Sequence, residues 1–333
     1  MPQPTYSQIH VNVPLTFMSI AYIQAAEGFI ADKVFPLVPV DKQSDRYYTY
    51  NKNDFMRDEA QERAPGTESA GGGYNLDNTP SYYCTIWAFH KDVAWYLRAN
   101  ADAVLDMDRD ASIFITQRML ISRERQWVKA YFQPGVWGTT VQGVASGNVP
   151  GASFIQWSDY MNSDPITDIR VGRMMVKQQT GFLPNVLTMS EYVFEVLSNH
   201  PDIVDRYKYT TNSVITEEML AKLFRVDQLV VAGAVYASNE EGQTAQYQFI
   251  SSNHALLSYA PKSAGILQPS AGYVFAWRGL TGNMVDRQSA GYALAIDKFP
   301  IRRLKVDRVE GEMAYCCKQT GSDLGYFFEN AAA

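Results

Sequence analysis

The side chains able to do chemistry are few and scattered. Four histidines, His10, His90, His200 and His254, are candidate general bases or metal ligands. No two of them stand at the spacing that would bring them together on one helix face or in a known motif. HExxH and GxSxG are missing from the 333 residues. GTESAGGG, Gly66 to Gly73, is glycine-rich enough to suggest a phosphate cradle, but it lacks the Lys-Ser/Thr ending and the helix that must follow. Asp106, Asp108 and Asp110 alternate in sequence. On a helix, residues i and i+2 face apart, so the three carboxylates do not converge on a metal. They suit the first turn of a helix, where negative charge meets the positive end of the dipole. Cys84, Cys316 and Cys317 show no CxxC spacing, which gives neither a disulfide framework nor a zinc site. In a strand, the adjacent Cys316 and Cys317 would point to opposite faces. The expectation is a protein without catalytic, cofactor or metal residues. One enzymatic arrangement is left, a lid formed by residues 62 to 75 over His90, and no partner constellation accompanies that histidine.

Composition narrows the alternatives further. The chain is 46% hydrophobic and 19% charged, ample for one large mixed domain or two smaller ones. Twenty-one tyrosines supply side chains that are apolar in the body and polar at the tip, suited to half-buried contact surfaces. A net charge of −6 argues against a large basic nucleic-acid-binding surface, though not against enclosing nucleic acid without gripping it. The most basic run, IRRLKVDR (Ile301 to Arg308), reads as a solvated strand edge. MPQPTYSQIHVNVPL has no basic region followed by an apolar one, and no apolar run reaches the length of a membrane span. Neither secretion nor membrane insertion is expected, and the cysteine usage fits a reducing compartment such as cytoplasm.

The elements that must position these residues follow from local pattern. A short helix is expected over Thr16 to Gln24, then an extended arm through FIADKVFPLVPV, where Pro36 and Pro39 block helix and central-strand pairing. Arg46 to Asn51 and Ser81 to Trp95 read as strands rich in aromatic and β-branched residues. Pairs of apolar residues at 113–114, 120–121 and 127–128, with Tyr131, mark one stripe of a helix from about Asp106 to Phe132, about 40 Å long. Arg118, Arg123 and Arg125 fall off that stripe. Glu124 with Arg125 reads either as an intersubunit pair or as a solvated face. Trp127 and Trp137 read as core. A second helix opens at Asp164-Pro165 and ends at Gly181. FLPNVLTMS, DQLVVAGAVYAS, AQYQFISSNHALLSYA and SAGYVFAWRG read as strands, and EYVFEVLSNH, stopped by Pro201, and ITEEMLAKLFRV, capped by Thr216, as helices. The tail returns as strand, with Gly311 as a bulge. This is an α+β chain.

Between the first two strands lies ERAPGTESAGGGYN, Glu62 to Asn75. A polar segment of this length inside a stable domain needs a reason. Flanked by antiparallel strands, it reads as the tip of a projecting hairpin, over residues 41 to 95. Asp54, Arg57, Asp58, Glu59, Glu62, Arg63 and Glu68 intermingle charges of both signs. Gly71, Gly72 and Gly73 permit a bend, and Tyr74 closes the stretch.

The order of segments resembles the major capsid proteins of tailed bacteriophages, the Hong Kong 97-like fold, over nearly the whole chain. FIADKVFPLVPVDKQSDRYYTYNKNDFMRDEAQERAPG is similar to that family's arm and extended loop, RERQWVKAYFQPGVW to the end of its spine helix, and SDPITDIRVGRMMVKQQTGFLPNVLTMSEYVFEVLSNHPDI to its second helix entering the axial domain. The resemblance implies an N-terminal arm (1–40), an extended loop (41–95), a peripheral domain with a long spine helix (96–180 with 299–333) and an axial domain (181–298). It implies self-assembly as hexamers and pentamers into an icosahedral head shell around double-stranded DNA, without sequence-specific binding. The virion would be its location, after assembly in the host bacterial cytoplasm, with a portal and a decoration protein as candidate partners. The extended-loop residues above, with Arg118, Arg123, Glu124 and Arg125 of the spine, become the candidate assembly interface. Many relatives carry an N-terminal scaffolding segment that is later cleaved. Here the arm begins almost at Met1, which predicts a separate scaffolding protein. Some relatives cross-link an extended-loop lysine to a neighbour's asparagine; the tip from Gln61 to Pro80 holds no lysine, which predicts noncovalent closure. An encapsulin-like compartment shell is the alternative that shares the fold.

Overall fold

The computed structural model describes residues 24–101, 105–149, 151–207, 215–240, 242–265, 267–281 and 294–333. His10 and nearly all of the helix expected over Thr16 to Gln24 lie outside them. The longest element is the spine helix, Met107–Tyr131. Asp106 caps it by accepting the N–H groups of Asp108 and Arg109, and Asp108 and Asp110 occupy its first turn. Its inward face is Ala111, Ile115, Met119, Arg123, Glu124, Trp127, Val128 and Tyr131. Ile113 and Phe114, expected on that face, are exposed. A seven-residue spacing drifts about 20° per heptad on a straight helix, so a stripe anchored at Trp127 and Val128 misses by two heptads earlier.

The spine helix packs on a five-stranded sheet built around one long strand, Val306–Gln319. Thr85–Ala94 runs antiparallel along one edge of it, from Ala94 opposite Val306 to Thr85 opposite Tyr315. The other edge is shared by Ala295–Ile301 and Gly272–Trp277, and Leu37–Val40 pairs parallel to the latter at the sheet's end, where Pro39 is tolerated. Of the IRRLKVDR run, Arg302 to Lys305 form the exposed turn between Ala295–Ile301 and Val306–Gln319, Ile301 ends the sheet's outer strand, and Val306 to Arg308 lie half-buried in the long strand. The bulge expected at Gly311 does not form: the register runs through it, opposite Phe89 on one side and Ile296 on the other. A Cβ at Gly311 would lie 2.5 Å from Ile115 Cγ2, so the missing side chain lets the helix settle onto the strand. Met313, Tyr315 and Cys317 face the helix, while Cys316 packs on the opposite face with Tyr82 and Phe275, as the alternation requires.

A second sheet has six strands, in the order Gln228–Ala232, Val186–Ser190, Ala255–Ser258, Gly325–Glu329, Thr139–Val144 and Ser153–Ile155. Helices Pro165–Thr180, Glu191–Ser198, Pro201–Tyr207 and Glu217–Phe224 contribute Ile169, Val176, Leu197, Ile203 and Leu220 to its core. Asp164 caps the first of these helices, and Gly181 ends it in the left-handed region at φ 79°. Pro201 stops one helix and opens the next as its first residue.

The described part of the arm joins these two layers. Phe29, Ile30, Val34 and Phe35 are buried, with the Phe35 ring 4.6 Å from that of Tyr131 on the spine helix. Gln24 pairs its side-chain amide with both the N–H and the carbonyl of Val235, just past the second sheet's edge strand. Residues 24–40 thereby complete the core of their own chain.

Candidate assembly interface

The hairpin has a fixed base and a bare tip. Ser44–Arg46 pairs with Ser81–Tyr83, and Thr49–Tyr50 with Leu76–Asp77. At the base, Tyr82 stacks on Phe275 with ring centroids 4.6 Å apart, and Cys84 lies buried beside it, donating its thiol proton toward the Phe275 carbonyl. Burial pushes the Cys84 thiol up to about 12, so it stays protonated and unreactive. Lys52, in the short helix Lys52–Phe55, ties the hairpin to the body through Asp323.

Beyond Phe55 the chain makes few bonds. Every residue from Arg57 to Asn75 is exposed, including Asp58, Glu59, Glu62, Arg63, Glu68 and Tyr74. Asp54 is half-buried and accepts the Asn75 N–H, and Arg57 lies 3.6 Å from Glu59. Such exposed pairs contribute about 0–1 kcal/mol. A Cβ at Gly71 or Gly73 would meet nothing within 4 Å, and neither has positive φ, so nothing inside the subunit demands glycine there. The Gly72 position faces Glu59 Oε2 at 2.8 Å, the flexible end of a side chain.

A feature the charge pattern hid is aromatic. Tyr50, Phe55 and Tyr74 form a mutual cluster with centroids 5.7–5.9 Å apart, yet Phe55 and Tyr74 are 62% and 64% exposed. Tyr48, Met56 and Leu76 extend the exposed apolar surface. An apolar patch of aromatics with a charged rim is the composition that protein interfaces bury. The signal in the sequence was three aromatics spaced through an otherwise polar stretch.

The four spine residues divide. Arg118 and Arg125 are on the surface, Arg118 stacked over Phe114 and Arg125 over Tyr236 at 4.8 Å. Arg123 and Glu124 are buried, which corrects their expected place on an outer face. Glu124, 1% exposed, turns away from Arg125 and accepts the N–H groups of Ile30 and Ala31 at 3.0 Å. Burial pushes its carboxyl up to about 7, against the opposing pull of those two donors. Arg123 reaches Asp32 at 3.5 Å. Both side chains therefore hold the arm.

One trio looks catalytic by residue type. Ser163 Oγ lies 3.0 Å from His200 Nε2, and Asp202 Oδ2 lies 3.8 Å from His200 Nδ1. The protons run the wrong way for a nucleophile. Ser163 donates to the Asp159 carbonyl, and His200 Nδ1 accepts the Asp202 N–H, which fixes the imidazole as an Nε2–H donor toward serine. Burial lowers the His200 pKa, and the ring is fully enclosed. The trio is a packed joint between helices. Among the described residues, no group of three His, Cys, Asp or Glu side chains is placed to hold a metal ion.

No protein-family model matches the chain. It is 23% identical to the major capsid protein of Burkholderia phage BcepMu, over 81% of this chain and 84% of that one. It is 25% identical to the major capsid protein of Pseudomonas phage JBD67, over 97% of each. These relatives support a tailed-phage major capsid protein. Solved structures share the mixed α+β fold. A phage-related protein from Bordetella bronchiseptica RB50 superposes with a TM-score of 0.67 at 20% identity, over 92% of this chain and 94% of that one. The capsid of cyanophage P-SCSP1u gives 0.60 at 10% identity, over 98% of each. An encapsulin complex from Synechococcus elongatus PCC 7942 gives 0.57 at 12% identity, over 94% of this chain and 91% of that one.

Proposed function

We propose that the chain is a non-enzymatic shell subunit with a Hong Kong 97-like fold, which closes as hexamers and pentamers into an icosahedral phage head. The observation that carries this reading is the hairpin: a base locked by Tyr82, Cys84 and Phe275, and a tip whose aromatics Phe55 and Tyr74 stay largely exposed in their own chain. A neighbouring copy supplies the missing cover, with Tyr50, Phe55 and Tyr74 at the contact and the charged residues as its rim. Arg118 and Arg125, exposed on the spine helix, belong to further contacts between copies. The segments 1–40, 41–95, 96–180 with 299–333, and 181–298 are assembly roles, since both sheets draw strands from across those boundaries. The shell encloses double-stranded DNA without reading it, is raised on a separate scaffolding protein in the bacterial cytoplasm, and meets a portal and a decoration protein in the virion. Contacts between copies stay noncovalent, with Lys52 already engaged by Asp323.

The test is assembly. The chain is expressed with and without the scaffolding candidate and examined by electron microscopy; closed shells or capsomer rings are expected, and a uniform monomer under both conditions defeats the reading. The encapsulin superposition favours a second reading, a compartment with protein cargo. Nucleic acid inside purified particles supports the head shell, and a protein cargo supports the compartment.

A further inference from the structure

The helices Pro165–Thr180 and Glu217–Phe224 pack against each other, and Ile169, Val176, Leu220 and Phe224 join one core beneath them. Arg173 lies midway along the first helix, one turn from both Ile169 and Val176, and is half-buried. Its Nε is enclosed and has no hydrogen-bond partner among the described residues. Arg225 ends the second helix in the left-handed region at φ 55°, where glycine would sit without strain. The two guanidinium groups are close enough to repel. Burial lowers the Arg173 pKa, and the Arg225 charge lowers it further. Neither arginine has an ion pair among the described residues. Lys177, one turn beyond Arg173, and Lys222, one turn before Arg225, are exposed and have none either. The other charged side chains of these helices are engaged or placed elsewhere. Asp168 accepts from Trp157 Nε1, Arg170 reaches Thr167, and Glu217 and Glu218 occupy the opposite end of the second helix. The helix dipole accounts for Lys222 and Arg225, since cations are favoured at a helix C-terminus. It does not account for Arg173 in the middle of its own helix. An enclosed guanidinium nitrogen, unpaired beside a second cation, is costly unless an anion answers both.

We infer that Arg173 and Arg225, flanked by Lys177 and Lys222, bind a phosphate group. The site belongs to the single subunit and does not rest on the shell reading. Each guanidinium presents a planar fork of donors that can grip two oxygens of one anion. Two forks and two ammonium groups match a tetrahedral phosphate better than a carboxylate, which has two oxygens and one charge. Arg225 in a left-handed position is strain kept at a place where its side chain has a task. One local site of this kind is compatible with the net charge of −6, which excludes only a broad basic surface. The phosphate can be free, part of a nucleotide, or part of a nucleic-acid backbone.

The experiment titrates the full chain with inorganic phosphate, against sodium chloride at matched ionic strength, and reads binding by calorimetry and stability by thermal unfolding. Wild type is expected to bind phosphate and to unfold at a higher temperature as its concentration rises. Arg173→Gln and Arg225→Gly should each weaken phosphate binding about tenfold or more. Arg225→Gly should also raise the unfolding temperature in phosphate-free buffer, because it removes both the repulsion and the strained left-handed side chain. Arg170→Gln takes one charge from the same helix outside the pair and should leave phosphate binding unchanged. Absence of a phosphate effect in wild type overturns the inference, as does unchanged binding in both Arg173→Gln and Arg225→Gly. An equal loss in Arg170→Gln reduces the effect to overall charge and overturns it too. Shells lost in Arg225→Gly, with no phosphate effect in wild type, assign the pair to a carboxylate of a second copy and also overturn it. A mixed-sequence DNA duplex that displaces the bound phosphate identifies a backbone phosphate as the source. A duplex that fails to displace it identifies a free phosphate or nucleotide, and the site stands in either case.

Discussion

The arm and the hairpin tip are both poorly provided with regular structure, and they reach order by different routes. Residues 24–40 bury Phe29, Ile30, Val34 and Phe35, and a carboxylate from the spine helix, 94 positions away in sequence, accepts two of the arm's N–H groups. Residues 57–75 bury nothing. A handful of apolar side chains at the right spacing turns an extended segment into part of a core; without them, the segment can be ordered only by another molecule. The arm's free energy belongs to folding, the tip's to association.

That contrast can be broken at several points. The largest effect is expected at Phe35→Ala, which removes the ring packed among Trp127, Tyr131 and Trp137. Chemical denaturation should show a loss of about 3–5 kcal/mol. Next is Glu124. Its folded pKa of about 7 lies above its ordinary 4.5, so the folded state binds more protons between those values. Its stabilising contribution is therefore full below about 4.5 and lost as pH rises through 7. Replacing Glu124 with Gln should remove a pH dependence of about 1–3 kcal/mol from unfolding measured across that window. Identical slopes for wild type and variant would place the carboxylate outside the folding equilibrium. Smaller still is Gly71→Ala with Gly73→Ala. The subunit should keep its stability to within about 1 kcal/mol, with a slight gain from a stiffer unfolded chain. Deleting residues 64–75 should leave the unfolding midpoint unchanged while abolishing closed shells. A large loss of monomer stability on that deletion would erase the distinction between arm and tip.

Much of the framework was legible because it is locally encoded. Asp106 and Asp164 cap their helices, and Gly181 ends one, through bonds reaching a few residues. The hairpin was legible from strands flanking a coreless stretch. What was not legible depends on distant parts of the chain. Glu124 is inside because Ile30 and Ala31 bring donors to it, and no local pattern announces that. Gly311 resembles a bulge in isolation; only Ile115 from the spine helix explains it. In the interface, charge was the visible signal and the aromatic cluster was missed, because Tyr50, Phe55 and Tyr74 converge only once Thr49–Tyr50 pairs with Leu76–Asp77.

The six-stranded sheet carries a consequence for synthesis. Gly325–Glu329 lies between Ala255–Ser258 and Thr139–Val144, and it follows every other strand of that sheet in the sequence. While the ribosome is still making the chain, the sheet is two fragments with open edges facing each other. It can close only after residue 329 has left the exit tunnel. Pairing this late in the chain is slow and leaves edges exposed meanwhile. A growing copy would then be unable to present its finished surfaces to its neighbours, and assembly would wait on the completion of each chain.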